Sequence, residues 1–317
     1  MIHVLYENEA WMPPLRRALA ERGLPVTEHF AAEGVLDLQA DPAEGVWLNR
    51  MSPSAHTRGH GGGIHYVREL LGLLEERGAR VVNGSHPFAL EVSKVRQHAA
   101  LESAGILTPR TLAVVGRERL KVEARRMDTP FITKHNQGGK GLGVQLFRDL
   151  DAFDAYVDGP NFEEPFDGVT LLQQYVEPPS RSITRVEIVD GELIFAMRSA
   201  TDGGFELCPA DACNIGDAFC PVGETAATQS KFTPEPMDPR DPLIQAYIRF
   251  CAAHQLDVAG IEFVTGADGQ RYTYDINMNT NYNSDVERAV GVDGMGRIAD
   301  LCARLLAEQA RRGLKSA

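Results

Sequence analysis

Cysteine is scarce and unevenly placed. Five occur in 317 residues (Cys208, Cys213, Cys220, Cys251 and Cys302), none of them in the first 200. An odd number placed beyond residue 200 is not a disulfide framework, and a reducing cytoplasm is the simplest compartment to expect. Long apolar runs are missing as well; no stretch approaches the ~18–20 residues that a membrane span needs. Met1 to Tyr6 has neither the basic flank nor the apolar centre of a secretory signal and reads as a strand. Positive charge is in deficit, 32 Lys and Arg against 44 Asp and Glu, a net charge of -12 with a pI near 5.3. Such a surface is a poor match for a phosphate backbone and is repelled by anionic lipid. Neither nucleic acid nor membrane is expected as a partner, and any nucleotide bound here is a small ligand. Internal repeats and low-complexity tracts are also absent.

What remains is an ordinary globular balance, 43% hydrophobic and 24% charged, with a length that suggests about two domains. The first 92 residues alternate strand and helix, which argues a parallel α/β unit. Ile2 to Leu5, Val46 to Leu48 and Val81-Val82 read as strands. Leu15, Ala18 and Leu19 follow Pro13-Pro14 at helical spacing, as do Val67, Leu70, Leu71 and Leu74. Gly59 to Gly63 reads as a mobile loop, and one helix is predicted from about Pro87 to Ser103. From Leu107 the texture turns to strands and tight turns, an α+β pattern. Phe131 to Lys134, Val144 to Phe147 and Val169 to Val176 are strands, and Asp190-Gly191 and Asp268-Gly269 are hairpin signals. Helices are predicted over Leu243 to His254 and Met295 to Arg311, with Thr233 to Pro242 as a loop.

Three constellations carry chemistry. Lys134 precedes a loop with Gly138, Gly139, Lys140, Gly141 and Gly143. A strand rather than a helix follows, and no Ser or Thr follows Lys140, so neither a P-loop nor a dinucleotide fingerprint fits. A lid laying backbone N–H groups over phosphates does fit; a plain glycine hairpin is the alternative. In the second hairpin, Ala267 is expected to face Gln270, and counting outward sets Glu262 opposite Asp275. Like charges ~4.5–5.5 Å apart call for a cation between them. With Asn277 they offer hard oxygen ligands suited to Mg²⁺; a solvated polar face is the alternative. In the first hairpin, direct counting pairs Ile183 with Arg198 and Arg185 with Ala196. Arg185 and Arg198 would then share one face, suited to an anionic ligand, unless Arg185 simply pairs with Glu187.

In this order, Ser93-Lys94, Lys134 with its glycine loop, Gln173-Gln174-Tyr175-Val176, the arginine hairpin, Asp257 to Glu262 and Asp275-Ile276-Asn277 resemble the ATP-grasp superfamily. Within it they are most similar to the RimK-like α-L-glutamate ligases. The resemblance covers roughly Ser93 to the C-terminus. It implies an ATP-grasp domain over 93–317 after an N-terminal α/β domain over 1–92. A small lid subdomain would span about 107–172 and a large metal and substrate subdomain about 173–317. It also implies that Lys94 and Lys134, with Gly138, Gly139, Lys140 and Gly141, contact ATP, and that Gln174, Tyr175 and Val176 receive the adenine. Glu262, Asp275 and Asn277 would hold Mg²⁺, with two ions expected and Mn²⁺ as a substitute. Arg198, assisted by Arg185, would face the transferred phosphate. The implied activity is carboxylate–amine ligation through an acyl phosphate, on an amino acid or peptide.

The sequence departs from the family at several points. Gln174 stands where an acidic residue is common, leaving Glu177 as the nearest candidate for the ribose. Asn279 to Asn283 replaces a small Ser-Pro-Gly-type turn, and Phe205 to Cys213 differs from the usual Arg/Asn-containing loop. Both segments should border the acceptor site. Arg50, ending an N-terminal strand, is a further candidate substrate contact. His56, His60 and His65, and Cys208, Cys213 and Cys220, lack zinc-ligand spacing. Two other readings are an ATP-binding regulatory or scaffold module without turnover and a carboxylase-type subunit. Homo-oligomerisation is compatible with all of them.

Overall fold

The computed structural model describes residues 1–139, 141, 143–201 and 231–316. Lys140, Cys208, Cys213 and Cys220, and the Phe205 to Cys213 segment, lie outside the described residues. Three sheets organise the chain. Strands β1 (Ile2–Tyr6), β2 (Val26–Phe30), β3 (Val46–Arg50) and β4 (Arg80–Val82) form a parallel sheet in the order β2-β1-β3-β4. Helix α1 (Pro13–Glu21) buries Leu15, Ala18 and Leu19, with proline fixing φ in its first turn. Helix α2 (Gly61–Glu76) buries Val67, Leu71 and Leu74. Gly61 to Gly63 therefore opens a helix, where the sequence suggests a loop. A Cβ on Gly63 would sit 2.5 Å from the Ala31 carbonyl oxygen, so glycine lets the first turn press against the chain leaving β2.

The helix expected from Pro87 to Ser103 is two helices, α3 (Ser85–Glu91) and α4 (Lys94–Ser103). Ser93 makes the break. Its backbone is extended, and its hydroxyl accepts the Arg96 N–H at 3.3 Å as an N-cap.

A second, antiparallel sheet contains β5 (Thr111–Val115), β6 (Phe131–His135), β7 (Gln145–Phe147) and β8 (Val169–Gln174) in the order β5-β8-β6-β7. Helices α5 (Arg117–Ala124) and α6 (Leu150–Asp158) cover it around Phe131, Phe147 and Phe153.

The third sheet, also antiparallel, joins β9 (Ser182–Val189), β10 (Glu192–Ala200), β11 (Phe232–Pro234), β12 (Val258–Thr265) and β13 (Arg271–Asn277) in the order β11-β10-β9-β12-β13. Helix α7 (Pro242–Ala253) packs on one face through Ile244 and Tyr247, against Val186, Ile261 and Phe263. Beyond β13, α8 (Ser284–Val290) is capped by Asn283. Helix α9 (Gly294–Ser316) lies on the other face. Its Ile298 and Cys302 share one core with Val258 and Met197 and with Ile2, Val4 and Leu15 of the N-terminal layer.

Candidate active site

A cavity of about 210 Å³ opens between the three sheets. The second sheet supplies Ile132, Lys134 and the loop residues Gly138, Gly139 and Gly141, and the segment leaving it supplies Gln174, Tyr175 and Val176. The third sheet supplies Arg185, Glu262, Asp275 and Asn277, and the N-terminal region Ser52, Ser54, Glu91 and Lys94. Most of the residues singled out from sequence are thus brought to one place.

Glu262 and Asp275 are direct partners across β12 and β13, through two departures from simple counting that offset each other. The connection is a three-residue loop, since Gly266 N–H donates to Gln270 O at 2.9 Å. Gly269 occupies the left-handed region at φ 75°. That loop shifts the register by one, and a bulge between Glu262 and Phe263 shifts it back.

Both carboxylates are packed among charges. Lys94, at the first turn of α4, donates from Nζ to Asp275. Burial works against the Asp275 charge, but Lys94 and Lys134 outweigh it and hold its pKa below the ordinary value. Glu262 is pushed up, by burial and by Asp275, although Arg185 opposes this. Lys134 donates to the Tyr274 carbonyl at 3.1 Å. Burial and the neighbouring Lys94 lower its ammonium to about 7.

The two carboxylates face each other across the strand pair, each already touching one cation, Lys94 for Asp275 and Arg185 for Glu262. Asn277 adds a buried Nδ2 that has no hydrogen-bond partner, and rotation of its amide would turn the oxygen in instead. Among the described residues, no group of three or more His, Cys, Asp or Glu is placed to hold a metal. The donor set is therefore two carboxylates and an amide, hard oxygens that fit Mg²⁺ shared with phosphate.

Arg185 lies flat across Gly260, where a Cβ would stand 2.3 Å from its Nη2 and 2.7 Å from its Cζ. It donates to Glu187 from Nε, to Glu262 from Nη1 at 2.8 Å and to Thr280 Oγ1 from Nη2 at 2.7 Å. Both readings of Arg185 hold in geometry: it pairs with Glu187 and it lines the cavity. Burial disfavours its charge, but the two carboxylates raise its pKa overall.

Arg198 is different. A bulge between Leu193 and Phe195 sets Met197 opposite Arg185 and Arg198 opposite Thr184. Arg198 therefore turns to the other face of the sheet, half-exposed and paired with Glu235, and the expectation of two arginines on one face is not met. Glu177 is exposed and outside the cavity lining. At the hinge, Gln174 N–H donates to Arg110 O at 2.8 Å and Tyr175 N–H to Pro130 O at 3.3 Å, so these two donors serve the fold.

Other residues of the site escaped the sequence reading. Gln97 bonds both ways with Ile276, donating to its carbonyl at 2.8 Å and accepting its N–H at 3.0 Å, and so covers the outer edge of β13. Glu91 lines the cavity while 6% exposed. A polar residue on the inward side of an otherwise core-packed helix was the available signal for both. Arg50 stands one layer behind, donating to Thr280 O and Asn281 Oδ1 at 2.7 Å each. His60 bonds Glu7 and His56 stacks on Phe166. No helix among the described residues is long and apolar enough to cross a membrane.

Comparison with known proteins follows the same lines. Residues 92–214 match the RimK-like ATP-grasp domain. No curated protein matches the chain. Among solved structures, a RimK domain ATP-grasp protein from Sphaerobacter thermophilus is 19% identical, with a TM-score of 0.68 over 94% of this chain and 98% of that one. The ATP-grasp ligase PsnB is 17% identical, with a TM-score of 0.65 over 96% and 98%. D-alanine–D-alanine ligase from Bacillus anthracis is 14% identical, with a TM-score of 0.65 over 97% and 98%. The chain accordingly has the ATP-grasp fold, and its residues 92–214 are similar to the RimK-like ATP-grasp domain.

Proposed function

We propose that the protein is an ATP- and Mg²⁺-dependent carboxylate–amine ligase, forming an amide on an amino acid or peptide through an acyl phosphate. One observation carries the reading: two buried lysines, a buried arginine and two opposed carboxylates, Glu262 buried and Asp275 partly so, converge on a single cavity. A polyanion with a divalent cation satisfies all five at once.

Ile132, Val144, Val176, Ile183 and Val264 give the cavity an apolar part of its lining, suited to a flat base. The backbone carbonyls of the hinge and the N–H of Val176 read its edge, since the donors of Gln174 and Tyr175 are engaged. Lys94, Lys134 and the glycine loop then face the phosphates. Glu262, Asp275 and Asn277 would hold Mg²⁺, which when bound offsets phosphate charge and polarises the transferred phosphoryl group. Arg185 takes the place at the transferred phosphate that the sequence assigns to Arg198. Its orientation is fixed in advance by Glu187 and Thr280, so it stabilises developing charge with little reorganisation. His98 is buried and held neutral, down to about 3 by burial, and no proton transfer is assigned to it.

The substrate class is taken from the neighbours. PsnB is seen with a minimal precursor, Mg and ADP and with a precursor peptide and AMPPNP, and another neighbour is a D-cycloserine synthetase. We place the units at 1–92, about 107–172 and about 173–317, supported by one sheet for each span, with only the last two residues of β8 running past 172. The test is a screen of pooled amino acids and peptides for ADP release from Mg-ATP, with mass spectrometry of products. At least one pair should yield ADP, phosphate and an amide. Nucleotide bound without turnover for any pair would instead establish the scaffold reading.

A further inference from the structure

We propose that Glu91 receives the ammonium group of the amine substrate. The inference rests on the ligase reading and names a residue that neither the nucleotide nor the metal uses in it. Glu91 ends α3 and lines the cavity although it is almost wholly buried. Its Oε2 accepts the Met278 N–H. No other hydrogen bond, and no ion pair, reaches it among the described residues. The other carboxylates at or beside the cavity each touch a cation: Asp275 touches Lys94, and Glu187 and Glu262 touch Arg185. With no cation in contact, burial pushes the Glu91 carboxyl up to about 7 although Lys94 and Arg185 oppose this, and a bound ammonium would favour its charged form.

Position agrees with that chemistry. Met278 directly follows Asn277, so the bond to its N–H fixes the Glu91 carboxyl beside the strand that carries the metal ligands. On the other side, Gln97 holds the end of α3 through the Leu90 carbonyl at 3.0 Å. Neutral hydrogen-bonding groups, Ser52, Ser54, Asn279 and Asn281, line the same cavity, with Lys94 and Arg185 as the cations in it that act on Glu91. Hydroxyls, amides and a carboxylate among the lining suit a small polar amine. When amide forms, the nitrogen attacks the acyl carbon and the C–O bond to phosphate breaks with its electron pair going to phosphate. Of the two protons the ammonium loses, one ends on phosphate and one in water. Glu91 binds and orients the nitrogen.

The test compares wild type with Glu91→Gln, which keeps an acceptor for Met278 N–H, and with Glu91→Asp. With the substrate pair found by the screen, Glu91→Gln should raise the amine KM about tenfold or more while the ATP KM and Mg²⁺ dependence stay put. Glu91→Asp should recover part of the loss. Hydroxylamine, neutral at pH 7, should trap the acyl phosphate as hydroxamate equally well in wild type and Glu91→Gln. An unchanged amine KM, an equal loss of hydroxamate or a shift in Mg²⁺ dependence instead would overturn the assignment. A binding arm needs no turnover: calorimetry with ethylammonium chloride on the Mg-ADP-loaded protein should show binding to wild type and none to Glu91→Gln. Equal heats would overturn the proposal. If wild type forms neither amide nor hydroxamate, the ligase reading fails and the calorimetry still decides Glu91.

Discussion

Lys134 shows how much a single buried side chain can report. Its ammonium has a carbonyl for a partner and no carboxylate in contact, and burial lowers it from 10.5 to about 7. The folded value lies below the unfolded one, so folding releases a proton between them. The unliganded protein should therefore gain stability as pH rises from about 7 to 10.5 and lose it as pH falls through 7. Phosphates beside Lys134 reverse the shift. Mg-ATP binding near pH 8 should take up about one proton, read by calorimetry in buffers of different ionisation enthalpy, and Lys134→Met should abolish the uptake. Gly260 is a second such position, because its missing Cβ is the space that the Arg185 guanidinium fills. Gly260→Ala should displace Arg185 from Glu187 and Glu262 and cost about 2–4 kcal/mol in denaturant titration, with loss of turnover.

At the scale of elements, the break between α3 and α4 matters most. Ser93 caps α4, and Asn136 binds the same end, its carbonyl accepting the Lys94 N–H at 3.1 Å and its side chain the Val95 N–H at 2.9 Å. The break thus ties the strand end carrying Lys134 to the helix start carrying Lys94. Ser93→Ala should lower stability by about 1 kcal/mol in thermal melts and raise the ATP KM a few-fold. The hairpins show where register is and is not legible. Residue types placed both turns correctly, and Glu262 still met Asp275 because the longer loop and the bulge offset each other. In the arginine hairpin a bulge stands alone, and one residue of slip sent Arg198 to the far face.

Across the whole molecule, α9 joins layers that are distant in sequence. Ile298 packs in one core with Ile2 and Val4 of the first sheet and Val258 of the third. The two layers should therefore unfold together. Both tryptophans, Trp11 and Trp47, lie before residue 92, so their fluorescence reports the N-terminal layer while far-ultraviolet dichroism reports the chain. Ile298→Ala should cost about 2–4 kcal/mol and shift both transitions equally. A fluorescence transition that separates from the dichroism would show two independent cores.

The sequence by itself determined the parallel α/β start, the strand-rich remainder and the glycine loop after Lys134, because strand period and turn chemistry are local, whereas Glu262 met Asp275 only because a longer loop and a bulge cancel. Tertiary structure decided which arginine faces the cavity, that Arg185 is locked by Glu187 and Thr280, and that Glu91 stands there without a cation. These depend on a bulge no residue type announces and on contacts such as Glu91 with Met278, 187 positions apart. Charge showed the same division. Composition made the chain acidic, and only packing could gather Lys94, Lys134 and Arg185 around one small cavity.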